Sequence, residues 1–429
     1  MRRPLYGWLA AEAVSLTGTR VSMVALPLFV LAESGSALRT GLVALAEMLP
    51  LVVLKVLAGP LVDRVGARRV AITCDLASVV VIGAIPLLHE AGLLSFGAFL
   101  ALVAVAGGLR GPSDGAKHAM VPALVAEAGV PMERATGLHS TVERTSSMLG
   151  AALAGLLVAA VGPTTALLLD AASFGVAAAL LGWATTSMRP VPTPAAAAAA
   201  ATAPGMEPEP YRRQLREGWD FLRRDRVLVT ITAMIALTNL LDLAWSSVLV
   251  PVWGTETAGG DGAAARVGLL FAVFSGTSAV GAVCAAAWGA RLPRRATYLV
   301  AFLVCGAPRY LVLALDSPLA AVLAVVGLGG FASGFLNPVI GAVIFERIPA
   351  HLVGRVSSLT TACCFALMPF GGLVGGALVG AGGLGTAMLV CGIAYGAVTL
   401  LPALDPRWRE IDRRPDPSAP APAHAAERG

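Results

Sequence analysis

Apolar residues run in blocks of roughly 20, the length an α-helix needs to cross the hydrocarbon layer of a bilayer. Such blocks fall at 6–31, 39–61, 70–89, 93–113, 137–160 and 164–186, and again at 227–252, 267–289, 296–315, 319–344, 356–380 and 383–403. They are numbered here as spans 1 to 12. Between spans 6 and 7 the pattern changes to RPVPTPAAAAAAATAPGMEPEPYRRQLREGWDFLRRDR. Its Pro/Ala-rich front predicts a linker, and its charged end an amphipathic surface helix. The predicted organisation is a six-helix bundle over 1–186, a linker with an amphipathic helix over 187–226, a second six-helix bundle over 227–404, and a disordered tail over 405–429. The fold class is all-α integral membrane. The first residues, MRRPLYGWLAAEAVSLTGTR, have the basic front of a signal peptide but carry Glu12 and Arg20 and no clean cleavage site, so they read as a retained first span.

Composition agrees with this pattern. The chain is 57% hydrophobic and 13% charged, about half the charged share of a soluble domain. Its 48 glycines suit helices that pack closely in lipid. Six cysteines lie within apolar segments without metal-ligand spacing, so they read as small packing residues. No metal and no cofactor is expected.

Charge placement sets the orientation. With a cytoplasmic N-terminus, the outside loops hold Arg39 and Arg266, while the inside loops and tails hold 24 of the 31 basic residues, Lys117 among them. The other five lie within spans. Basic residues stay on the cytoplasmic side, so the chain reads as a multi-pass protein of the cytoplasmic (inner) membrane with both termini in the cytoplasm.

The two halves repeat at a shift of roughly 225 positions. VALPLF (24–29) ends span 1 and VLVPVW (248–253) ends span 7. GPLVDRVGARR (59–69) follows span 2, and AAAWGARLPRR (285–295) follows span 8. LGAALAGLL in span 5 answers FGGLVGGAL in span 11. Parallel six-helix repeats about an axis along the membrane normal are one transporter architecture.

The segment 59–69 concentrates charge. Arg64, Arg68 and Arg69 favour the inner leaflet and the negative C-terminal end of span 2. Asp63 is repelled by that same helix end and should be held elsewhere. Arg355, at the start of span 11, is the candidate partner in a cytoplasmic gate, with Gly59 and Gly66 letting backbones approach. Asp75 would lock span 3 to the loop arginines.

GPLVDRVGARR resembles the G-x-x-x-D-R-x-G-R-R signature between helices 2 and 3 of the major facilitator superfamily, with Ala67 departing at a variable arginine. SLTGTRVSMVALPL, LDAASFGVAAALL and LREGWDFLRRDRVL resemble its branch of macrolide-efflux and enterobactin-exporter-like drug:proton antiporters. That branch usually carries an acid where Thr19 stands. The family's span-5 antiporter signature is matched at Gly150 and Gly155, while Ala151 and Ala154 replace a proline and a glycine. Span 11 keeps Pro369 with Gly371, Gly372, Gly375 and Gly376, read as helix-packing glycines. The resemblance implies twelve transmembrane helices in two bundles related by a pseudo-two-fold, a cavity lined by spans 1, 4, 7 and 10, and proton-driven export.

Charges in the spans point to chemistry, since each costs about 2.5–3.5 kcal/mol at mid-bilayer. Asp242, near the middle of span 7, is the first candidate for proton coupling, followed by Glu47 in span 2 and Glu12 in span 1. Arg20, Arg110, Asn239 and Asn337 are the candidate cavity or substrate residues. Asp170 reads as a cap or packing group. Arg309 is a further intramembrane charge, with an interhelix ion pair as its plain reading.

The leading function is secondary active export of an amphipathic or hydrophobic small molecule, such as a drug, antibiotic or secondary metabolite, by proton antiport. A lipid or lysolipid flippase of the same fold is the alternative, and a non-transporting membrane sensor or scaffold a more distant one. No G-x-x-x-x-G-K-[ST] motif is present, so ATP is not the expected fuel. No nucleophile–base constellation suggests an enzyme. Expected partners are the small-molecule substrate, protons and membrane lipids, with no nucleic acid and a monomeric chain.

Overall fold

The computed structural model describes residues 3–186, 211–288, 291–338, 340, 347–348, 352–400, 403 and 408. The described elements are helical: α1 (Arg3–Ser34), α2 (Ala37–Leu57), α3 (Gly59–Val65), α4 (Ala67–Glu90), α5 (Phe96–Ala119), α6 (Val121–Ala128), α7 (Met132–Ala184), α8 (Tyr211–Arg224), α9 (Arg226–Ala244), α10 (Val250–Trp288), α11 (Arg294–Cys305), α12 (Ala307–Ala314), α13 (Leu319–Ser333), α14 (Val353–Ala366) and α15 (Gly371–Leu400). A π-helical turn, Trp245–Leu249, joins α9 to α10, and a 3-10 turn, Met368–Phe370, joins α14 to α15.

Ten stretches of the described residues are long and apolar enough to cross a membrane. Two of them, Leu153–Ala184 and Leu359–Leu400, are interrupted by Gly162 and Gly383, each with a left-handed φ; since α7 extends back to Met132, each interruption separates two crossings, giving twelve. The reversal at Gly162 is visible in the contacts. Arg20 and Ser22, two residues apart on α1, touch Ser147 and Asp170 of α7. In one straight helix those two partners would stand about 34 Å apart.

The repeat is written in the backbone. Gly259 follows Gly35 by 224 positions, Asp316 follows Gly92 by 224, and Gly383 follows Gly162 by 221; all six have positive φ. These residues make the six turns at one end of the molecule, here the turn end. The opposite, basic end carries α3, α6, α8 and the arginine-bearing connections. Pro251 likewise follows Pro27 by 224 positions. In span 7 the proline stands just after the π turn: it offers no N–H and its ring crowds the carbonyl four residues back, which the wider turn relieves.

The halves are pressed together at the turn end through glycine. A Cβ on Gly41 would strike the Gly372 carbonyl, one on Gly376 the Ala37 carbonyl, and one on Gly155 the backbone of Gly268. Gly371 and Gly375 let α15 lie against Leu240 and Ala244 of α9. Gly59 and Gly66 behave differently from expectation: a Cβ at either would meet open space. Gly66 instead supplies the turn between α3 and α4, with φ of 93°.

At the basic end, Arg68 does not serve the end of span 2. Its Nε donates to Thr185 Oγ1 at 2.7 Å and its Nη2 to the Gly182 carbonyl at 3.0 Å, so it caps the C-terminus of span 6, where cations are favoured. In the second half, Arg295 Nη2 donates to the Ala403 carbonyl at 3.0 Å, at the end of span 12. One device thus closes both bundles. Arg64 and Arg69 are exposed. The side chains of Asp63 and Arg355 lie outside the described residues, as do 187–210 and most of 401–429. Within the expected tail, Trp408 is buried, its ring 5.7 Å from that of Tyr298. In α8, Leu222 is buried against Leu228, Ile348 and Val356, while Trp219 is exposed.

We expect a cysteine introduced at Asp316, at the turn end, to react with an impermeant maleimide from outside intact cells, and one at Arg224 to react only in inverted vesicles. Labelling of both from the same side would overturn the topology.

Candidate functional site

A cavity of about 480 Å³ lies between the halves. Spans 7, 8, 9, 10 and 12 contribute most of its wall; the first half contributes Arg20, Met23, Val24 and Ser147. Four candidate residues meet there: Arg20, Asn239, Asp242 and Asn337. Arg110 does not, and span 4 supplies none of the lining.

The principal charge on this wall is an ion pair. Arg309 Nη2 donates to Asp242 Oδ1. The Arg309 side chain is 4% exposed and Asp242 is 40% exposed, so the carboxylate stands in front, facing the cavity, with the guanidinium behind it. Two breaks in helical geometry bring Arg309 there. Span 9 is interrupted at Gly306, just before Pro308, and the Tyr395 ring occupies the space a Cβ at Gly306 would take. The π turn in span 7 carries Trp245. The Arg309 guanidinium carbon then lies 4.7 Å from the Trp245 ring centre, 5.2 Å from Tyr310, 5.5 Å from Tyr395 and 5.8 Å from Phe274. Such rings stabilise a cation by roughly 0.5–2 kcal/mol each. Tyr310 is fixed in turn by donating its hydroxyl to the Leu241 carbonyl at 2.8 Å. Asn239 Nδ2 donates to the Cys364 carbonyl at 2.9 Å, joining spans 7 and 11.

Arg20 faces the cavity from α1. Its Nη2 donates to Ser147 Oγ at 2.7 Å and its Nη1 approaches Met23 Sδ at 3.5 Å. Gly150 makes room for it: a Cβ there would come within 3.1 Å of the Arg20 stem.

The other acids sit inside the first bundle. Glu47 Oε1 accepts from Arg110 Nη1 at 3.3 Å, beside a void of about 30 Å³ shared with Ser22 and Asp170. Asp170 accepts from Ser22 and, at 3.3 Å, from Ser173. Asp75 is paired with Lys117 at 3.0 Å and accepts from Ser113 at 2.6 Å, so its partner is not a loop arginine. Lys117, counted above with the inside loops, is 1% exposed, as is Asp75; Lys117 also donates to Ser15 at 3.4 Å. Glu12 is buried beside this cluster. Sequence could not find these pairs, since 42 positions separate Asp75 from Lys117 and 67 separate Asp242 from Arg309.

A family model described as Major Facilitator Superfamily matches residues 8–265 and 235–428. The chain belongs to that superfamily. As a major facilitator it is a multi-pass membrane transporter of small-molecule substrates. Among its curated relatives, the multidrug efflux pump Tap of Mycobacterium tuberculosis strain H37Rv is 30% identical over 431 residues, covering 99% of both chains. The pump of the same name from Mycolicibacterium fortuitum is 28% identical over 423 residues, covering 96% of this chain and 98% of that one. Among solved structures, the nucleoside transporter NupG superposes with a TM-score of 0.71 at 12% identity, covering 92% of this chain and 97% of its own. A bacterial homologue of the human lysosomal transporter Spinster, inward-facing and unoccupied, gives 0.64 at 14% identity, covering 95% and 96%. These structures share the major facilitator fold.

Removing Lys117 leaves the Asp75 carboxylate buried without its cation, which costs about 3–5 kcal/mol. We therefore expect Lys117→Met to lower the melting midpoint of the detergent-purified transporter by several degrees. Adding Asp75→Asn should restore most of it. A midpoint unmoved by Lys117→Met alone would refute the pair's structural role.

Proposed function

We propose that this transporter exports amphipathic or hydrophobic small molecules from the cell by proton antiport with alternating access, as a monomer in the cytoplasmic membrane with both termini in the cytoplasm. The name of its full-length relatives, multidrug efflux pump, supports export of such compounds. The observation that carries the coupling mechanism is the Asp242–Arg309 pair on the cavity wall, with the carboxylate in front.

The chemistry follows from that order. Ionised, Asp242 satisfies Arg309 behind it and offers its exposed face to a donor or cationic group of the substrate. Protonated, it loses its hold on that group. Proton and substrate thus compete for one carboxylate, which is the requirement for exchange. The aromatic rings around Arg309 hold its charge while Asp242 carries the proton. Glu47 and Glu12 are the second and third candidates, because each faces a partner or cluster inside the first bundle rather than the shared cavity. Driving force is ample: moving one charge through 100 mV yields about 2.3 kcal/mol, and each pH unit about 1.4 kcal/mol.

In the opposite state the glycine contacts at the turn end separate, and the basic end closes through the 59–69 segment, with Asp63 engaging Arg355. Of the packing glycines, 155, 372 and 376 let the halves rock on close backbone contacts, while 150, 371 and 375 set helix packing within each half.

Inverted vesicles containing the transporter should lose part of a preformed pH gradient when ethidium is added, read by recovery of a quenched acridine dye. Asp242→Asn should reduce that proton release at least tenfold at equal membrane abundance. Full proton release in this variant would shift coupling to Glu47. Movement of a fluorescent lysolipid in gradient-free liposomes would favour the flippase reading instead.

A further inference from the structure

The two halves place opposite charges on the cavity that Arg20 and Asp242 both line. Asp242 looks in from the second half, with Arg309 spent behind it. Arg20 looks in from the first half. A guanidinium has five N–H donors, and Arg20 uses a strong acceptor for one of them, Ser147 Oγ; the sulfur of Met23 is a weak acceptor for a second. Among the described residues no carboxylate forms an ion pair with Arg20. The charges that act on it from a distance, Arg110 and Glu143, oppose one another. The cavity therefore holds one matched pair and one unmatched cation, with donors to spare.

Desolvated charge of this kind binds its complement strongly, since there is little water to compete. A purely cationic ligand would satisfy Asp242 and leave Arg20 facing like charge. A purely anionic one would satisfy Arg20 and stand against the exposed face of Asp242. A ligand carrying both charges meets both walls.

We propose that the cavity recognises amphoteric compounds, with Arg20 binding an acidic oxygen of the substrate while Asp242 takes its cationic or donor group. This deepens the export reading above and rests on it for the direction of transport. Arg20 is then a specificity-determining residue, and Gly150 positions it. The missing Cβ at 150 leaves the lane along α7 in which the Arg20 stem lies, at 3.0 Å to Cγ and 3.1 Å to Cβ from where that atom would be. A substrate spanning Arg20 and Asp242 also ties the halves to each other, so its binding free energy differs between states in which the walls are close and states in which they part.

The test is a matched pair of amino-xanthene dyes, one with a free benzoic acid and the other its methyl ester, binding to purified full-length transporter by fluorescence anisotropy. The acid form should bind about tenfold more tightly than the ester, the scale of one charge-assisted hydrogen-bonded contact. Arg20→Gln should abolish that preference by weakening the acid form, while the ester, relieved of the like charge, binds at least as tightly as to the wild type, which also shows that the variant is folded. Arg20→Lys should keep part of it. Gly150→Ala, with the arginine intact, should reduce it by displacing the stem. Equal weakening of both dyes by Arg20→Gln, no preference in the wild type, or no binding of either dye overturns the proposal. If both dyes bind as expected but energised inverted vesicles accumulate neither, the export reading fails and the subsite stands. If the ester is accumulated and the acid is not preferred, the subsite fails and export stands.

Discussion

A guanidinium 4% exposed in the middle of a membrane bundle is the constraint around which the second half is arranged. An unpaired charge there would cost several kcal/mol. Arg309 therefore needs an anion in contact, and Asp242 supplies it from another helix. It also needs its remaining surface covered without competing for that anion, and aromatic faces do this. Each ring has its own structural cause. Trp245 stands on a π turn beside Pro251, and Tyr395 enters because span 9 gives way at Gly306. The helix irregularities that look like defects along the chain are what let one buried cation be satisfied.

The same arrangement is absent from the first half, although the scaffold is repeated. Counting back 224 positions from Asp242 and Arg309 reaches Gly18 and Ile85. The space beside Gly18 is filled by Asp170 and Ser173 of α7. The cavity accordingly lies largely in the second half, and the first contributes Arg20 across the gap. The first half spends its own buried charges on internal pairs, Asp75 with Lys117 and Glu47 with Arg110, which tie spans 2, 3 and 4 together. An internally braced bundle and one that lines most of the cavity follow from these placements.

Part of the contact between the halves is made by backbone, beside side-chain packing such as Leu31 with Val248 and Val252. Gly41 against Gly372, Gly376 against Ala37 and Gly155 against Gly268 leave no room for a Cβ. In lipid there is no hydrophobic drive to hold helices together, so close backbone approach supplies dispersion contacts instead. At these glycine positions there are no interlocking side chains to unpick. This suits surfaces that must separate and re-form during transport.

Length and pattern in the sequence determined the crossings, the two-bundle organisation and the repeat, because lipid forces every backbone polar group into a helix and every span to roughly one bilayer thickness. Family membership was legible in the 59–69 segment for the same local reason. Four of the residues singled out as coupling or cavity candidates line the cavity, since an intramembrane charge has few tolerable places. Tertiary structure alone decided the pairings. Nothing in the chain order joins Asp242 to Arg309, moves Asp75 from the loop arginines to Lys117, turns Glu47 and Arg110 toward each other, or sends Arg68 to the end of span 6. These depend on how far each helix rotates and which neighbour it meets, and rotation within a nearly uniform apolar span leaves little periodic trace in the sequence.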